Sequence, residues 1–154
     1  MLMYHFVTRW HFEAPIERVW EEAKNIEAYP SWWNDLKKAE IRGTETALKL
    51  GTVVDCEVRG ALPYSLRFAV EVVEFEPPRL IVIRSSGDLV GEGRWVLEEK
   101  EGGTMSTFNW DVGTTNPILN LLGKLPFARR MLEKNHDDVM AKGYEIVRSR
   151  LELP

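Results

Sequence analysis

Mostly aromatic side chains recur at every second position from Met3 to Phe12. Tyr4, Phe6, Thr8, Trp10 and Phe12 share one side, and His5, Val7, Arg9 and His11 the other. Successive side chains of a strand point to opposite faces, so this stretch predicts a strand with an aromatic inner face. Ala14-Pro15 breaks the alternation, and Pro15 suits the first turn of a helix, where its missing N–H would have no intrahelical partner. From Pro15 to Asn25 the period becomes helical, with Ile16, Val19, Trp20 and Ala23 on one stripe. Ile26 to Trp33 predicts a second short helical piece, interrupted by Pro30 and carrying the Trp32-Trp33 pair. Lys37 to Thr44 predicts a modest edge strand.

Alternation then returns and persists. Thr52 to Arg59 places Val54, Cys56 and Val58 on one face and Asp55, Glu57 and Arg59 on the other. Gly60 to Pro63 predicts a turn. Tyr64 to Glu76 predicts a long strand, with Tyr64, Leu66, Phe68, Val70 and Val72 together. Pro77-Pro78 cannot continue inside a sheet, because proline donates no ladder hydrogen bond. Arg79 to Ser86 is β-branched and apolar. Gly87 to Gly93 is rich in glycine and predicts a turn region before Glu92 to Lys100 resumes as strand with Trp95 and Leu97 on one face. Gly102-Gly103 predicts a tight hairpin turn, after which Thr104 to Gly113 brings Phe108, Trp110 and Val112 to one side. Asn116-Pro117 caps a short helix through about Leu122.

The last stretch, Pro126 to Leu151, reads as one long helix of about 39 Å at the usual rise per residue. Leu132, His136, Val139, Gly143, Ile146 and Val147 form its apolar stripe. Glu133, Lys134, Asp137, Asp138, Lys142 and Glu145 form its wet face. Two residues of the stripe are out of character. His136 sits where a leucine would pack more simply, and Gly143 costs about 1 kcal/mol of helix propensity against alanine while leaving a gap for close approach. Strand, two short helices, some six antiparallel strands and a long helix imply an α+β fold. In it a curved antiparallel sheet grips the C-terminal helix, residues 1–154 form a single domain, and space remains between sheet and helix.

Composition narrows the reading. The chain has 154 residues, enough for one domain with a real core, and a formal net charge of −4, which gives no general basic surface for nucleic acid or an anionic membrane. One cysteine, Cys56, excludes an internal disulfide. The opening lacks the pattern of a signal peptide and no apolar run could span a bilayer, so a cytoplasmic protein without integral membrane association is the expectation. Six tryptophans in this length favour a ring-lined pocket as well as a core.

In this order and spacing, APIERVWEEAKNIEAYPSWW after the first strand, SGDLVGEGRWVLEE, GGTMSTFNWDV and NHDDVMAKGYEIV are similar to segments of a known family. The chain resembles, over nearly its whole length, the polyketide cyclase and dehydrase-like branch of the START-related helix-grip superfamily. That superfamily includes cyclases, lipid carriers, coenzyme Q-binding proteins and sensors. The resemblance therefore implies the helix-grip fold and a hydrophobic ligand such as a lipid, an isoprenoid or quinone, or a polycyclic compound. It leaves three functions open: binding, a cyclase or dehydratase reaction, and a protein-interaction module using the Trp32-Trp33 corner or the Leu119 to Phe127 region.

The candidate ligand-binding residues are Trp10, Trp33, Tyr64, Phe68, Arg84, Trp95, Phe108, Trp110, Asn135, His136 and Met140, with Met131 and Leu122 as further flexible wall. His136 and Asp88 are the candidate acid or base. His136 reads as a buried ring tied to a strand carbonyl or to Asn135, or else as a ligand-facing proton carrier. Asp88 and Glu92 read as carboxylates at a pocket mouth or as surface ion-pair partners of Arg84 and Arg94. GDLVGEG is not a phosphate loop, because a strand rather than a helix follows it. His5, His11 and His136 have no metal-ligand spacing, and Cys56 lacks a cationic neighbour that would activate a thiol. No metal, cofactor or nucleic-acid partner is expected.

Overall fold

Each stretch of alternating side chains becomes a strand of one antiparallel sheet. A computed structural model describes residues 3–44, 47–59, 65–122 and 124–152. The strands are β1 (Met3–Phe12), β2 (Leu36–Ile41), β3 (Val53–Val58), β4 (Leu66–Glu76), β5 (Leu80–Gly87), β6 (Leu89–Lys100) and β7 (Gly103–Thr114). The helices are α1 (Ile16–Lys24), α2 (Tyr29–Trp32), α3 (Pro117–Leu122) and α4 (Pro126–Glu152), with a single 3-10 turn, Ile26–Ala28, ahead of α2. The seven strands lie in the order β1-β7-β6-β5-β4-β3-β2, so the first and second strands in sequence form opposite edges of the sheet. β1 runs beside β7 from Met3↔Gly113 to Phe12↔Thr104. The sheet curls around α4 in the helix-grip arrangement.

Two turns differ from the sequence reading. The glycine-rich segment 87–93 is mostly strand. β5 continues through Gly87, β6 begins at Leu89, and only Asp88 lies between them. Gly93 serves packing rather than turning: a Cβ on it would lie 2.8 Å from Trp110, 2.9 Å from Ile83 and 2.9 Å from Phe108. The hairpin between β6 and β7 turns on Glu101-Gly102, one residue earlier than expected, and Gly103 already pairs with Lys100. Both turn residues have positive φ, +53° at Glu101 and +77° at Gly102, as a two-residue primed turn between twisted strands requires.

α4 is fastened to the sheet along its second half. The Tyr144 hydroxyl donates to the His11 carbonyl at 3.0 Å, and its ring lies against Trp10 and Phe12. Leu151 is buried in the core with Phe12, Ile16, Val19 and Leu97, and the Glu152 carboxylate accepts from the Glu13 N–H at 3.0 Å. α1 closes this end of the sheet through Trp20, whose ring packs against Phe75 and Trp95. The outer face of the sheet is charged and paired, as its alternation predicts. Arg42 donates twice to Asp55, at 2.9 and 2.7 Å, and Arg67 donates to Glu57 at 2.7 Å. Among the described residues no helix is long and apolar enough to cross a membrane.

Candidate functional site: an apolar cavity under the long helix

Between α4 and the curled sheet lies a cavity of about 400 Å³. The alternating faces of β1, β4, β6 and β7 supply Trp10, Phe68, Trp95, Phe108 and Trp110 to its wall, Trp33 follows α2, and α4 supplies Asn135, His136 and Met140. These are nine of the residues that the sequence nominated. The rest are placed otherwise. Tyr64 lies outside the described residues, as does the side chain of Leu122. Met131 is 61% exposed and forms no part of the wall.

Arg84 and Asp88 are corrections. Arg84 projects from the outer face of β5, opposite Glu71 and Glu92 on the flanking strands, because the β5 positions that face inward are Ile81 and Ile83. Asp88 closes the β5–β6 turn onto the start of β4. Its carboxylate accepts from the Arg67 N–H at 2.9 Å, and its own N–H donates to the Arg67 carbonyl at 2.9 Å. A carboxylate occupied in this way is a turn fastener at the sheet rim, away from the cavity wall.

Gly143 allows the close approach to α4 expected of it, and the side chain that approaches is Trp33. The indole of Trp33 lies against α4 at this point, and a Cβ on Gly143 would stand 2.7 Å from Trp33 Cε2 and Cζ2. Trp33 Nε1 donates to the Val139 carbonyl at 3.1 Å, and the ring stacks on Trp32 with centroids 6.0 Å apart. The glycine thus seats one wall of the cavity on its helix.

The polar atoms around the cavity fall into two groups. Some are internally satisfied. Trp95 Nε1 donates to Ser106 Oγ at 2.7 Å, the Tyr29 hydroxyl donates to the Ala23 carbonyl, and Glu22 pairs with Arg150, whose guanidinium lies 5.5 Å from the centre of the Trp32 ring. Burial pushes the Tyr29 hydroxyl well above its usual range. Cys56, inward on β3, is pushed up to about 12 by burial first and the Asp55 charge second, so it stays a thiol.

Others are unsatisfied. The Tyr4 hydroxyl, Trp32 Nε1 and His136 Nδ1 are buried with no hydrogen-bond partner, and all three residues line the cavity. Leaving such an atom unpaired costs about 1–3 kcal/mol. The His136 ring stacks on Phe6 with centroids 3.7 Å apart, and its Nδ1 is 3.6 Å from the Asp137 carboxylate, too far for a hydrogen bond. At Nδ1 neither a strand carbonyl nor Asn135 holds the ring. Desolvation pulls the His136 pKa below the ordinary imidazole range, against a smaller opposing pull from Asp137, so the ring is neutral near pH 7.

The sequence nomination passed over Tyr4, Phe6 and Trp32. For Tyr4 and Phe6 the signal was present, since they share the alternation that singled out Trp10. Trp32 had none, because its place on the wall depends on how α2 is set against α4. Among the described residues no group of three or more His, Cys, Asp or Glu side chains could hold a metal ion.

A family model described as polyketide cyclase / dehydrase and lipid transport matches residues 3–152. Solved structures share the architecture. The TTHA0849 protein of Thermus thermophilus is 21% identical, with 96% of this chain and 99% of that chain covered and a TM-score of 0.75. The Zhui aromatase/cyclase from Streptomyces sp. R1128 is 22% identical, with 98% and 94% covered and a TM-score of 0.75. A START superfamily protein from Mycobacterium smegmatis is 18% identical, with 97% of each chain covered and a TM-score of 0.69. At these identities the likeness is one of fold. No curated protein matches the sequence.

Proposed function

This chain belongs to the polyketide cyclase / dehydrase and lipid transport family, and from that premise we propose that it binds a small hydrophobic molecule between sheet and C-terminal helix. A lipid, an isoprenoid or quinone, or a polycyclic compound fits the description. The observation that carries the reading is the cavity itself: about 400 Å³ walled by aromatic and aliphatic side chains. Ligand pockets run from about 300 to 1,000 Å³ and are mostly apolar with a few polar groups. Burying about 200 Å² of apolar ligand surface contributes about 5 kcal/mol before the costs of association are subtracted.

The test is native mass spectrometry of the purified protein, organic extraction of any adduct, and titration of the stripped protein with the neutral dye Nile red. Binding with saturable fluorescence supports the reading, and Thr8→Trp, which places an indole in the cavity from the middle of β1, should weaken it at least tenfold. Dye that binds wild type and Thr8→Trp equally is bound elsewhere, and the cavity reading falls.

A second reading, a polyketide cyclase or dehydratase reaction, is favoured by one observation. His136 is a neutral imidazole on the cavity wall, and its Nδ1 has no hydrogen-bond partner. Asp88 has no part in it. If the extracted compound is chemically altered on incubation with the stripped protein, His136→Ala should abolish the change and leave binding in place. Unaltered compound returns the protein to the carrier reading.

A further inference from the structure

Four large apolar side chains that the fold leaves in water meet at one corner. Met3 at the start of β1, Leu121 in α3, Leu125 just before α4 and Met131 in the second turn of α4 are 40–67% exposed. Hydrogen bonds hold the corner together. The Lys124 N–H donates to the Leu121 carbonyl at 3.3 Å, the Arg129 N–H to the Leu125 carbonyl at 3.0 Å, and Arg129 Nη2 to the Met3 carbonyl at 3.0 Å. Met131 stands about 9 Å beyond Leu125 at the usual helical rise. An exposed leucine alone needs no explanation, whereas a cluster of exposed apolar side chains marks an interaction surface.

The same corner is basic in a chain whose net charge is −4. From Val112 to Leu132 the sequence has Lys124, Arg129 and Arg130 and no carboxylate. Among the described residues neither Lys124 nor Arg130 forms an ion pair. The carboxylates that flank this stretch are engaged: Glu133 with Arg129 at 3.0 Å, Asp138 with Lys134 at 3.0 Å and Asp111 with His5 at 2.7 Å. Screening limits the reach of exposed charges to about 8 Å, so a surface that touches this corner meets its cations rather than the net charge of the chain. The charge thus complements an anionic surface. The apolar tips come from separate elements, with cations between them. A fluid bilayer takes in such tips without matching their shape, while Lys and Arg reach its phosphates. A folded acidic partner would need a pocket for each tip.

The corner also stands at one end of the cavity. Thr114, whose carbonyl accepts from Asn120 Nδ2 at 2.8 Å, and Leu132, next to Met131, line the cavity wall, and the Arg129 guanidinium lies 4.5 Å from the centre of the Tyr4 ring. We propose that Met3, Leu121, Lys124, Leu125, Arg130 and Met131 dock the protein reversibly on an anionic lipid bilayer. The apolar tips enter the acyl boundary, the two cations lie at the phosphates, and the Thr114–Leu132 end of the cavity faces the membrane. This docking does not depend on what the cavity holds.

The full chain is sedimented with vesicles of phosphatidylcholine alone, or of phosphatidylcholine with about 30% phosphatidylglycerol. Binding to the anionic vesicles is expected to be at least tenfold tighter than to the neutral ones. Raising the salt from about 0.1 M to about 1 M, which shortens the screening length from about 10 Å to about 3 Å, should weaken it at least fivefold. Lys124→Gln combined with Arg130→Gln should weaken it at least tenfold. Leu121→Ser, Leu125→Ser and Met131→Ser combined should do the same and leave the thermal midpoint of the free protein unchanged, because all three side chains lie in water and none lines the cavity. No binding to the anionic vesicles overturns the docking and leaves the cavity reading standing. Binding that either variant keeps in full takes place elsewhere on the surface and overturns it too. Without vesicle binding, a dimer in sedimentation equilibrium that the serine variant abolishes assigns the corner to a second copy, and retention on immobilised polyglutamate assigns it to an acidic protein. Either result overturns the bilayer as partner.

Discussion

His136 shows how a single side chain is set by what surrounds it. On the helix stripe its position made it inward. Its chemistry follows from the stack on Phe6 and the lack of a partner for Nδ1. Desolvation depresses its pKa in the folded chain, whereas in the unfolded chain it titrates at about 6.5. As pH falls through that value the unfolded state takes up the proton first, so stability falls, and it goes on falling until the folded pKa is passed. The expected outcome is that His136→Phe loses less stability than wild type between about pH 7.5 and about pH 5.5, measured by urea denaturation at each pH. Parallel losses in the two proteins would place the ring in water. Asp88 and Arg84 mark the opposite case. Residue type alone made them candidates, and register put Arg84 on the outer face and Asp88 in a turn.

At the scale of elements, the long helix and the hairpins carry the instructive departures. Gly143 reads in isolation as a propensity defect, and replacing it with alanine should stabilise a free helix by about 1 kcal/mol. In the fold the added Cβ would meet Trp33 at 2.7 Å, and Trp33 is held by the Val139 carbonyl and by Trp32. Gly143→Ala is therefore expected to lower stability by about 1–2 kcal/mol. A denaturation midpoint that rises instead would show that Trp33 does not rest on α4. Glu101 occupies a left-handed position, φ +53°, in the β6–β7 turn, which costs an ordinary residue and suits asparagine before glycine. Glu101→Asn should gain about 0.5 kcal/mol, seen as a small rise in the same midpoint, because nothing but the turn itself is altered. Gly93 teaches the same lesson as Gly143. Sequence context made it a turn glycine, while the rings of Trp110 and Phe108 require the space above it.

For the molecule as a whole, stability and binding are linked through the cavity. A ligand that binds only the folded chain stabilises it by about 2.7 kcal/mol when present at about 100 times its dissociation constant. Saturating Nile red should therefore raise the thermal midpoint of wild type by more than that of Thr8→Trp, as read by tyrosine and tryptophan circular dichroism. Equal shifts in both would mean that the dye acts from outside. The sequence by itself determined the strands from Met3 to Phe12, Thr52 to Arg59 and Thr104 to Gly113, the long final helix, and the inward set of Trp10, Phe68, Trp95, Phe108, Trp110 and His136. Each follows from a period of two or of 3.6 residues, and burial against one apolar face enforces that period wherever the partner lies. Tertiary structure alone decided that β1 pairs with β7 about a hundred positions later, that β1 and β2 end up at opposite edges, and that α2 sets Trp32 and Trp33 against α4. It alone decided which inward residues pack solidly and which bound an opening. The reason is that a void, an unpaired hydroxyl and a ring seated on a glycine belong to the spacing between elements, and no periodicity along one element records how far away the next will stand.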